Sequence, residues 1–225
     1  MKLDDLEYDL VLARNVDAKQ ILGMLRRTFF LDEPLIQALG LAGKQNIELE
    51  KFCMDCVDED LSYVALPKCG VAPLSVCLNG TFMAKDIGHL EKLACHCLCK
   101  KTQRLLRFWA YLDRESELWN QYGVSRIFEI RILATDQRYR GRGLATSLVA
   151  KSLSLAKELG FPLVRMDCTS YYSSLAAKRL GMEMAYSLKY SDYLTNNGRP
   201  IIDTAPPHNS AAIYVHNIGR SASQP

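Results

Sequence analysis

The segment 138–145, RYRGRGLA, constrains the fold of this chain more than any other stretch. It follows residues 127–133, whose alternating pattern predicts a strand, and it leads into residues 143–159, whose leucines predict an amphipathic helix. Two glycines one residue apart allow a tight backbone curl, and the first amides of a helix lack intrahelical acceptors. The sequence therefore predicts a strand–turn–helix unit with an anion site, suited to a pyrophosphate, at the helix N-terminus.

Three arginines of this turn add to the predicted anion site. Arg138, Arg140 and Arg142 are expected to place mobile positive charge around the amides of residues 139–143. The dinucleotide fingerprint G-x-G-x-x-G fails because Thr146 stands where its last glycine belongs, and the phosphate loop ending in Gly-Lys-Ser/Thr is absent. The alternative interpretation is a glycine-containing turn on a basic surface.

Strands and helices alternate along the chain, which predicts one α/β domain over residues 1–218 and a frayed tail at 219–225. The dipeptide Asn79-Gly80 predicts a hairpin turn. Strands are predicted at 10–13, 63–66, 74–78, 127–133, 163–168, 182–190 and 211–217. Helices are predicted at 18–30, 35–41, 86–122 with breaks near Lys100 and Asp113, 143–159 and 173–180.

The composition excludes several classes of protein. A chain of 225 residues that is 48% hydrophobic is an ordinary globular chain rather than a disordered one. The net charge of +3 is too small and too mixed to predict a nucleic-acid or membrane partner. Acidic residues near the N-terminus and the lack of an apolar run of roughly 18 residues predict a soluble, cytoplasmic protein.

Eight cysteines raise the question of a metal site, and in a reducing compartment they are expected to be thiols. Cys53 and Cys56 have the two-residue spacing of zinc ligands, and the segment CHCLC at 95–99 offers further thiolates and His96. A helix predicted over 95–99 points neighbouring thiols to different faces, however. No metal site is expected, and the cysteines are interpreted as small core residues and exposed thiols.

The turn also carries a family motif. Arg138-x-x-Gly141-x-Gly143 with Ala145 resembles the acetyl-CoA motif Q/R-x-x-G-x-G/A of the GNAT superfamily of N-acetyltransferases. Within that superfamily the chain most resembles the insect arylalkylamine (dopamine-type) N-acetyltransferases. The matching stretches are FFLDEPL at 29–35, FEIRIL at 128–133, CTSYYS at 168–173 and PHNS at 207–210.

The resemblance implies a fold and a co-substrate. It implies a mixed, mostly antiparallel central sheet flanked by helices, with two strands splayed at the acetyl-CoA site, and no metal. A backbone amide near Leu133 and Ala134 is expected to stabilise the oxyanion, and the pantetheine arm is expected to pair with that strand. The residues expected to bind acetyl-CoA are Leu133, Ala134, Arg138, Tyr139, Arg140, Gly141, Arg142, Gly143 and Ala145.

Glu33 is the candidate general base. A primary amine has a pKa of about 10 and is protonated at neutral pH, so a carboxylate at the acceptor mouth is needed to remove a proton. Pro34 fixes an extended or turn conformation at Glu33, and the resemblance places the family's base there. The alternative is an exposed loop acid without a catalytic role.

The proton for the departing thiolate has several candidate donors. Ala177 stands where many GNAT enzymes have a tyrosine, and the resemblance to the insect enzymes implies hydroxyls at Thr169, Ser170 or Ser173. Ser173 is the preferred candidate, and its alternative role is a helix N-cap. Tyr171 and Tyr172 are further candidates.

The sequence does not identify the acceptor amine. Phe30, Pro34 and His208 are expected to line its pocket, by resemblance. A small arylalkylamine, acetylated by direct attack in a ternary complex, is the leading hypothesis. Agmatine or a polyamine is the alternative and needs a second acid, for which Asp32, Glu129 and Asp192 are available. A protein N-acetyltransferase and a non-catalytic acyl-CoA-binding module also remain, and the resemblance allows a monomer or a homodimer.

Overall fold

The computed structural model describes residues 7–86 and 88–219. Seven strands form one sheet in the order β1-β2-β3-β4-β5-β7-β6. Every neighbouring pair is antiparallel except β4 and β5, which are parallel, so the expected mixed, mostly antiparallel sheet is confirmed. The strands are β1 (Tyr8–Leu12), β2 (Tyr63–Pro67), β3 (Ser75–Met83), β4 (Arg126–Thr135), β5 (Leu163–Cys168), β6 (Glu183–Lys189) and β7 (Ser210–Asn217).

Helices cover both faces of the sheet. One core lies under the helices that precede β4, and the other lies under the two helices that follow it. Along β5 the side chains alternate, so Leu163 packs into the first core and Val164 and Met166 into the second. The helices are α1 (Ala18–Arg27), α2 (Phe29–Asp32), α3 (Pro34–Ala38), α4 (Ile47–Met54), α5 (His89–His96), α6 (Lys100–Glu115), α7 (Leu118–Tyr122), α8 (Leu144–Glu158) and α9 (Tyr171–Arg179).

Two predictions concern the extent of the folded chain: a single domain over 1–218 and a frayed tail at 219–225. All seven strands belong to one sheet, which accommodates the single domain expected over 1–218. Within the predicted tail, the Gly219 amide lies 3.4 Å from the Pro162 carbonyl oxygen, and residues 220–225 lie outside the described residues. No helix in the described part of the chain has the length and apolar character needed to cross a membrane.

The hairpin predicted at Asn79-Gly80 is wrong, because β3 runs straight through both residues and pairs with β4 along its whole length. Asn79 is fully buried, and its side-chain amide donates to the Leu61 carbonyl at 2.8 Å and to Ser152 Oγ at 2.9 Å. A Cβ on Gly80 would lie 2.6 Å from the Arg131 guanidinium carbon. Both residues therefore serve close packing rather than a turn.

The helical stretch predicted over 86–122 is divided into three helices. α5 ends at His96, Cys97–Cys99 form an extended connection, and α6 starts at Lys100, as the predicted break there indicated. The second break falls at Ser116 rather than at Asp113. The helix expected over 95–99 is therefore wrong, and the argument that placed its thiols on different helix faces no longer applies.

The parallel pairing of β4 with β5 is short. It joins only Phe128–Val164, Glu129–Arg165 and Ile130–Met166, although β4 continues to Thr135. The register between β3 and β4 shifts so that Leu78 faces Ile132 while Asn79 faces Ile130, which leaves Arg131 as a bulge. Bulges bend a strand and increase its twist. β4 and β5 therefore separate beyond the bulge, as the resemblance to the GNAT superfamily implied.

A buried ion network stands beside the last paired residues of β4 and β5. The Arg165 guanidinium, fully buried, lies 2.7 Å from an Asp113 carboxylate oxygen, and its Nε lies 3.0 Å from Asp167 and 3.6 Å from Glu129. Arg131 binds the other oxygen of Glu129. The three carboxylates lie close enough together to share an ion, but one guanidinium already pairs with all of them. This arginine ties α6 to the centre of the sheet.

We expect Arg165→Met to reduce the free energy of unfolding by about 3–5 kcal/mol, because it leaves buried carboxylates without their cation. The control is Arg14→Met at the exposed Arg14–Asp60 pair, which is expected to cost about 0–1 kcal/mol. Urea unfolding followed by circular dichroism measures both. Similar losses in the two variants would contradict a stabilising role for the network.

Candidate active site

The glycine turn leads directly from β4 into α8. Asp136 follows the strand, and its carbonyl accepts from the Tyr139 amide at 2.9 Å to close a single helical turn. Gly141 and Gly143 then take φ angles of +77° and +79°, and Gly143 is the N-cap of α8. Nothing lies within 4 Å of a Cβ built on either glycine. The left-handed conformation, which disfavours residues with a Cβ, accounts for glycine at both positions.

Two of the three arginines in the turn are held by acids. Arg138 forms a two-pronged ion pair with Asp136, at 2.9 and 3.0 Å, and this guanidinium lowers the Asp136 pKa to about 2. Arg140 binds Asp32, and Arg142 lies with its guanidinium 5.8 Å from the Tyr139 ring centre. The expectation of mobile charge is therefore wrong for Arg138 and Arg140, whose side chains also shape the turn.

The last part of β4 has one open edge. Leu133 and Ala134 face Cys77 and Val76 of β3 on one side, but both lie beyond the last residue of β4 that pairs with β5. Backbone groups on an unpaired strand edge can bond an extended ligand as an added strand would. Ala145, the second residue of α8, lies at the adjacent helix N-terminus.

Glu33 is a buried carboxylate rather than an exposed loop acid, with 7% of its surface accessible. It caps α3, where its Oε2 accepts from the Ile36 amide at 2.6 Å, while Oε1 is buried without a hydrogen-bond partner. Burial raises the pKa of Glu33 to about 7, against the opposing influence of the Ile36 amide, the Thr169 hydroxyl and the Leu35 amide. The unpartnered oxygen is therefore poised to exchange a proton near neutral pH.

The loop that carries Glu33 spans the ends of the two separated strands. Asp32 accepts from the Gln137 side-chain amide at 3.1 Å and pairs with Arg140, both of which follow β4. Glu33 itself lies beside Thr169, the first residue after β5. The loop that carries Glu33 therefore bridges the segments that follow β4 and β5.

The hydroxyls after β5 divide into two kinds. Ser170 and Ser173 form a capping box at the start of α9, with Ser173 Oγ donating to the Ser170 carbonyl at 2.9 Å. The helix starts at Tyr171, two residues before its predicted start, so the predicted N-cap at Ser173 is wrong and Ser170 takes that position. Thr169 is the hydroxyl that lies beside Glu33.

Tyr190 is a residue of this site that the sequence did not reveal. Its hydroxyl donates to the Thr169 carbonyl at 2.6 Å, and burial and the Glu33 charge raise its pKa. Its ring packs 5.7 Å from Phe108 of α6. The sequence pattern assigned this residue to the end of a strand, whereas β6 ends at Lys189. Only the tertiary packing brings it to Glu33.

His208 is placed at the start of α9. Its Nδ1 accepts from the Tyr171 amide at 3.2 Å, and its ring packs against Tyr172 at 5.7 Å. Burial lowers its pKa, so the imidazole is neutral at pH 7, and an accepting Nδ1 puts its proton on Nε2. His208 is thereby brought to the same segment as Thr169 and the capping serines.

The other two predicted pocket residues flank Glu33 and are buried. Phe30, in α2, is 7% exposed and packs edge-to-face on Phe29 with ring centres 5.5 Å apart. Pro34 starts α3, a position that needs no amide hydrogen. Burial, which these two neighbours in the sequence share with Glu33, is the cause of the raised pKa of the carboxylate.

Comparison with known proteins agrees with this geometry. Residues 79–180 match the family model of the GNAT acetyltransferases. The structure is similar to that of arylalkylamine N-acetyltransferase 2 from Aedes aegypti, with a TM-score of 0.86 and 29% identity over 96% of this chain and 100% of that chain. The structure of a mosquito arylalkylamine N-acetyltransferase-like 5b is also similar, with a TM-score of 0.87 and 25% identity over 94% of this chain and 100% of that chain. Drosophila melanogaster polyamine N-acetyltransferase, 23% identical with a TM-score of 0.83 over 94% and 100%, has the same fold.

The sheet, the glycine turn and these matches together define an acetyltransferase. Residues 79–180 match the GNAT acetyltransferase family, and the chain is an N-acetyltransferase enzyme. Enzymes of this fold use acetyl-CoA, and a GNAT complex with bound CoA, NatC, shares the fold at 12% identity and a TM-score of 0.53.

We expect Gly143→Ala to weaken CoA binding at least tenfold, because alanine disfavours the left-handed conformation that leads into α8. Gly198→Ala is the matched control, since Gly198 has a φ of +72°, equally open surroundings and a position in an exposed loop. Isothermal titration calorimetry with CoA measures both. Equal CoA affinities in the two variants would contradict the role of the turn.

Proposed function

We propose that the protein transfers the acetyl group of acetyl-CoA to the primary amine of a small arylalkylamine by direct attack in a ternary complex. The observation that carries the proposal is the placement of Glu33, a buried carboxylate with one unpartnered oxygen and a pKa of about 7, between the ends of β4 and β5. A base with a pKa near the working pH is effective in proton transfer.

The donor side of the reaction rests on two features of β4 and α8. The glycine turn and the N-terminus of α8 suit the pyrophosphate of CoA, because converging amides and the helix dipole favour an anion there. The open edge of β4 at Leu133 and Ala134 suits the pantetheine arm and supplies backbone amides for the oxyanion. Donors fixed in a strand need no reorganisation as the charge develops.

The acceptor side needs the amine in its neutral form. Glu33 Oε1 takes one ammonium proton, directly or through water, and the freed lone pair attacks the thioester carbonyl. As the C–S bond breaks, a hydroxyl after β5 gives its proton to the thiolate and takes in exchange the surplus proton of the attacking nitrogen. Ser173 Oγ already donates within the capping box, so the Thr169 hydroxyl, next to Glu33, is the better placed donor.

The surroundings of Glu33 favour an aryl group over a second ammonium on the acceptor. Two of the acids available to a polyamine are committed elsewhere, since Asp32 binds Arg140 and Glu129 binds Arg131. Aromatic rings instead run outward from the site, from Tyr190 through Phe108 to Tyr193, with centres 5.7 and 5.0 Å apart. The name of the Aedes aegypti relative points to the same substrate class.

We expect kcat/KM for tryptamine or dopamine to exceed that for agmatine and spermidine at least tenfold, because the half-buried Tyr193 ring can stack on an aryl group, while two of the three candidate acids are already paired with arginines. Release of CoA measured with this panel and with a peptide amine tests the substrate class. A preference for agmatine that Asp192→Asn abolishes would favour the polyamine alternative. Release with the peptide alone would assign a protein substrate.

We expect Glu33→Gln to lower kcat by about 10²–10⁴-fold, because glutamine keeps a capping acceptor for Ile36 but accepts no proton. In the wild type, kcat/KM is expected to fall as the pH drops through about 7, where Glu33 becomes protonated, and the variant is expected to lose this dependence.

The control for this variant is Asp17→Asn, which alters another helix-capping carboxylate, the one that accepts from the Lys19 amide at 2.8 Å. It is expected to keep the wild-type rate and pH profile. Wild-type turnover by Glu33→Gln would overturn Glu33 as the base, while unchanged CoA affinity in both variants would show that the donor site is intact.

A further inference from the structure

We propose that Cys97 and Cys99 form an oxidisable dithiol, in which the Cys99 thiolate attacks hydrogen peroxide and Cys97 completes a disulfide. The two residues lie in the extended connection between α5 and α6 and belong to no part of the site described above. The proposal is independent of which amine the enzyme acetylates.

The connection is short enough for the two cysteines to reach each other. Cys97 is the C-cap of α5 and Cys99 the N-cap of α6, both in extended conformation, and the chain bends at the exposed Leu98 between them. Residues two apart in sequence have Cα atoms at most about 7 Å apart, and a bend shortens this toward the roughly 4.4–6.8 Å of disulfides. Cys97 Sγ already lies 3.7 Å from the Cys99 carbonyl oxygen.

Cys99 has the properties of the attacking thiol. It is partly exposed at the N-terminus of a sixteen-residue helix and is followed by two lysines. Its sulfur makes no full capping hydrogen bond, yet the Thr102 hydroxyl and the amides of Thr102 and Lys101 lie near enough to lower its pKa. The thiolate is the reactive form of cysteine, and a helix N-terminus stabilises it.

Cys97 has the properties of the resolving thiol. It is 5% exposed, and its Sγ donates to Glu48 Oε2 at 2.6 Å, so burial and this acid raise its pKa and keep it protonated. Cys97 and Glu48 also line a cleft of about 100 Å³ together with His96 and Thr102. The cleft therefore holds, in Glu48, an acceptor for the Cys97 proton.

The chemistry balances with a hydroperoxide as the oxidant. The Cys99 thiolate attacks one peroxide oxygen, the O–O bond breaks, and the product is a sulfenic acid and, after protonation, water. Cys97 then passes its proton to Glu48 and attacks the Cys99 sulfur, which forms the S–S bond and releases the hydroxyl group as water. Two thiols lose two electrons in total, and one peroxide is reduced to two waters.

The other six cysteines provide internal comparisons. Cys53, Cys56, Cys77 and Cys168 are buried, and burial raises the pKa of each. Cys69 and Cys95 are exposed. If exposure alone decided which thiol reacts with peroxide, Cys69 or Cys95 would react first. If the surroundings of the sulfur decide, Cys99 reacts first.

The test treats the folded full-length protein with one equivalent of hydrogen peroxide, alkylates the remaining thiols with N-ethylmaleimide after unfolding, and analyses peptides by mass spectrometry. In the wild type, the peptide spanning residues 93–100 is expected to lose two hydrogens and to carry one label, at Cys95. Cys99 is expected to react at least tenfold faster than Cys69.

Single variants assign the two roles. Cys99→Ser is expected to prevent the disulfide, whereas Cys97→Ser is expected to leave a sulfenic acid on Cys99 that dimedone traps. Cys95→Ser is the matched control in the same segment and is expected to keep the Cys97–Cys99 bond. Circular dichroism of each variant shows that it is folded.

Three results would overturn the proposal. One is oxidation of Cys69 or Cys95 at least as fast as that of Cys99. Another is a disulfide that includes Cys95 in the wild type. The third is a disulfide that persists in Cys99→Ser, or dimedone labelling of folded Cys97→Ser at a residue other than Cys99.

Discussion

The separation of β4 from β5 after three paired residues is the constraint on which the site depends. A bulge at Arg131 bends β4 away from β5. The ion pairs of Arg165 lie beside the last paired residues and stabilise the part of the sheet in which the two strands are still paired. Three parts of the candidate site are placed by the two strand ends: the glycine turn follows β4, Thr169 and the capping box follow β5, and the Asp32–Glu33 loop joins them. Stable pairing of β4 with β5 before the bulge allows the two strands to stay apart after it.

The parts of this arrangement that could be predicted from the sequence are those with local causes. A strand, a pair of glycines and an amphipathic helix in succession leave few alternatives, so the turn and α8 were predicted within one or two residues. Glu33 before Pro34 is also a local signal, because proline restricts the preceding residue and favours the start of a helix. The raised pKa of Glu33, in contrast, comes from burial in the tertiary structure, where Cys53 of α4, Thr169 and Tyr190 lie near it although they are distant in the sequence.

The errors arose where a local signal met a tertiary requirement. Asn79-Gly80 has the composition of a hairpin turn, but Asn79 satisfies buried groups on two other segments and Gly80 makes room for Arg131. The turn arginines were expected to be mobile because a sequence does not show their partners, and Asp32 is more than a hundred residues away from Arg140. A break near Lys100 was predicted, but Cys97–Cys99 have no glycine or proline among them, so this extended segment was assigned to the helix before the break.

The two oxygens of Glu33 have different surroundings. One oxygen is used to cap a helix, while the other is left able to bind a proton. Oε2 anchors the first turn of α3 through the Ile36 amide, while Oε1 has no bonded neighbour. A carboxyl group divided in this way can gain and lose a proton on one oxygen while the other keeps the helix in place. The two charge states of this carboxyl group can therefore share one backbone geometry at the start of α3.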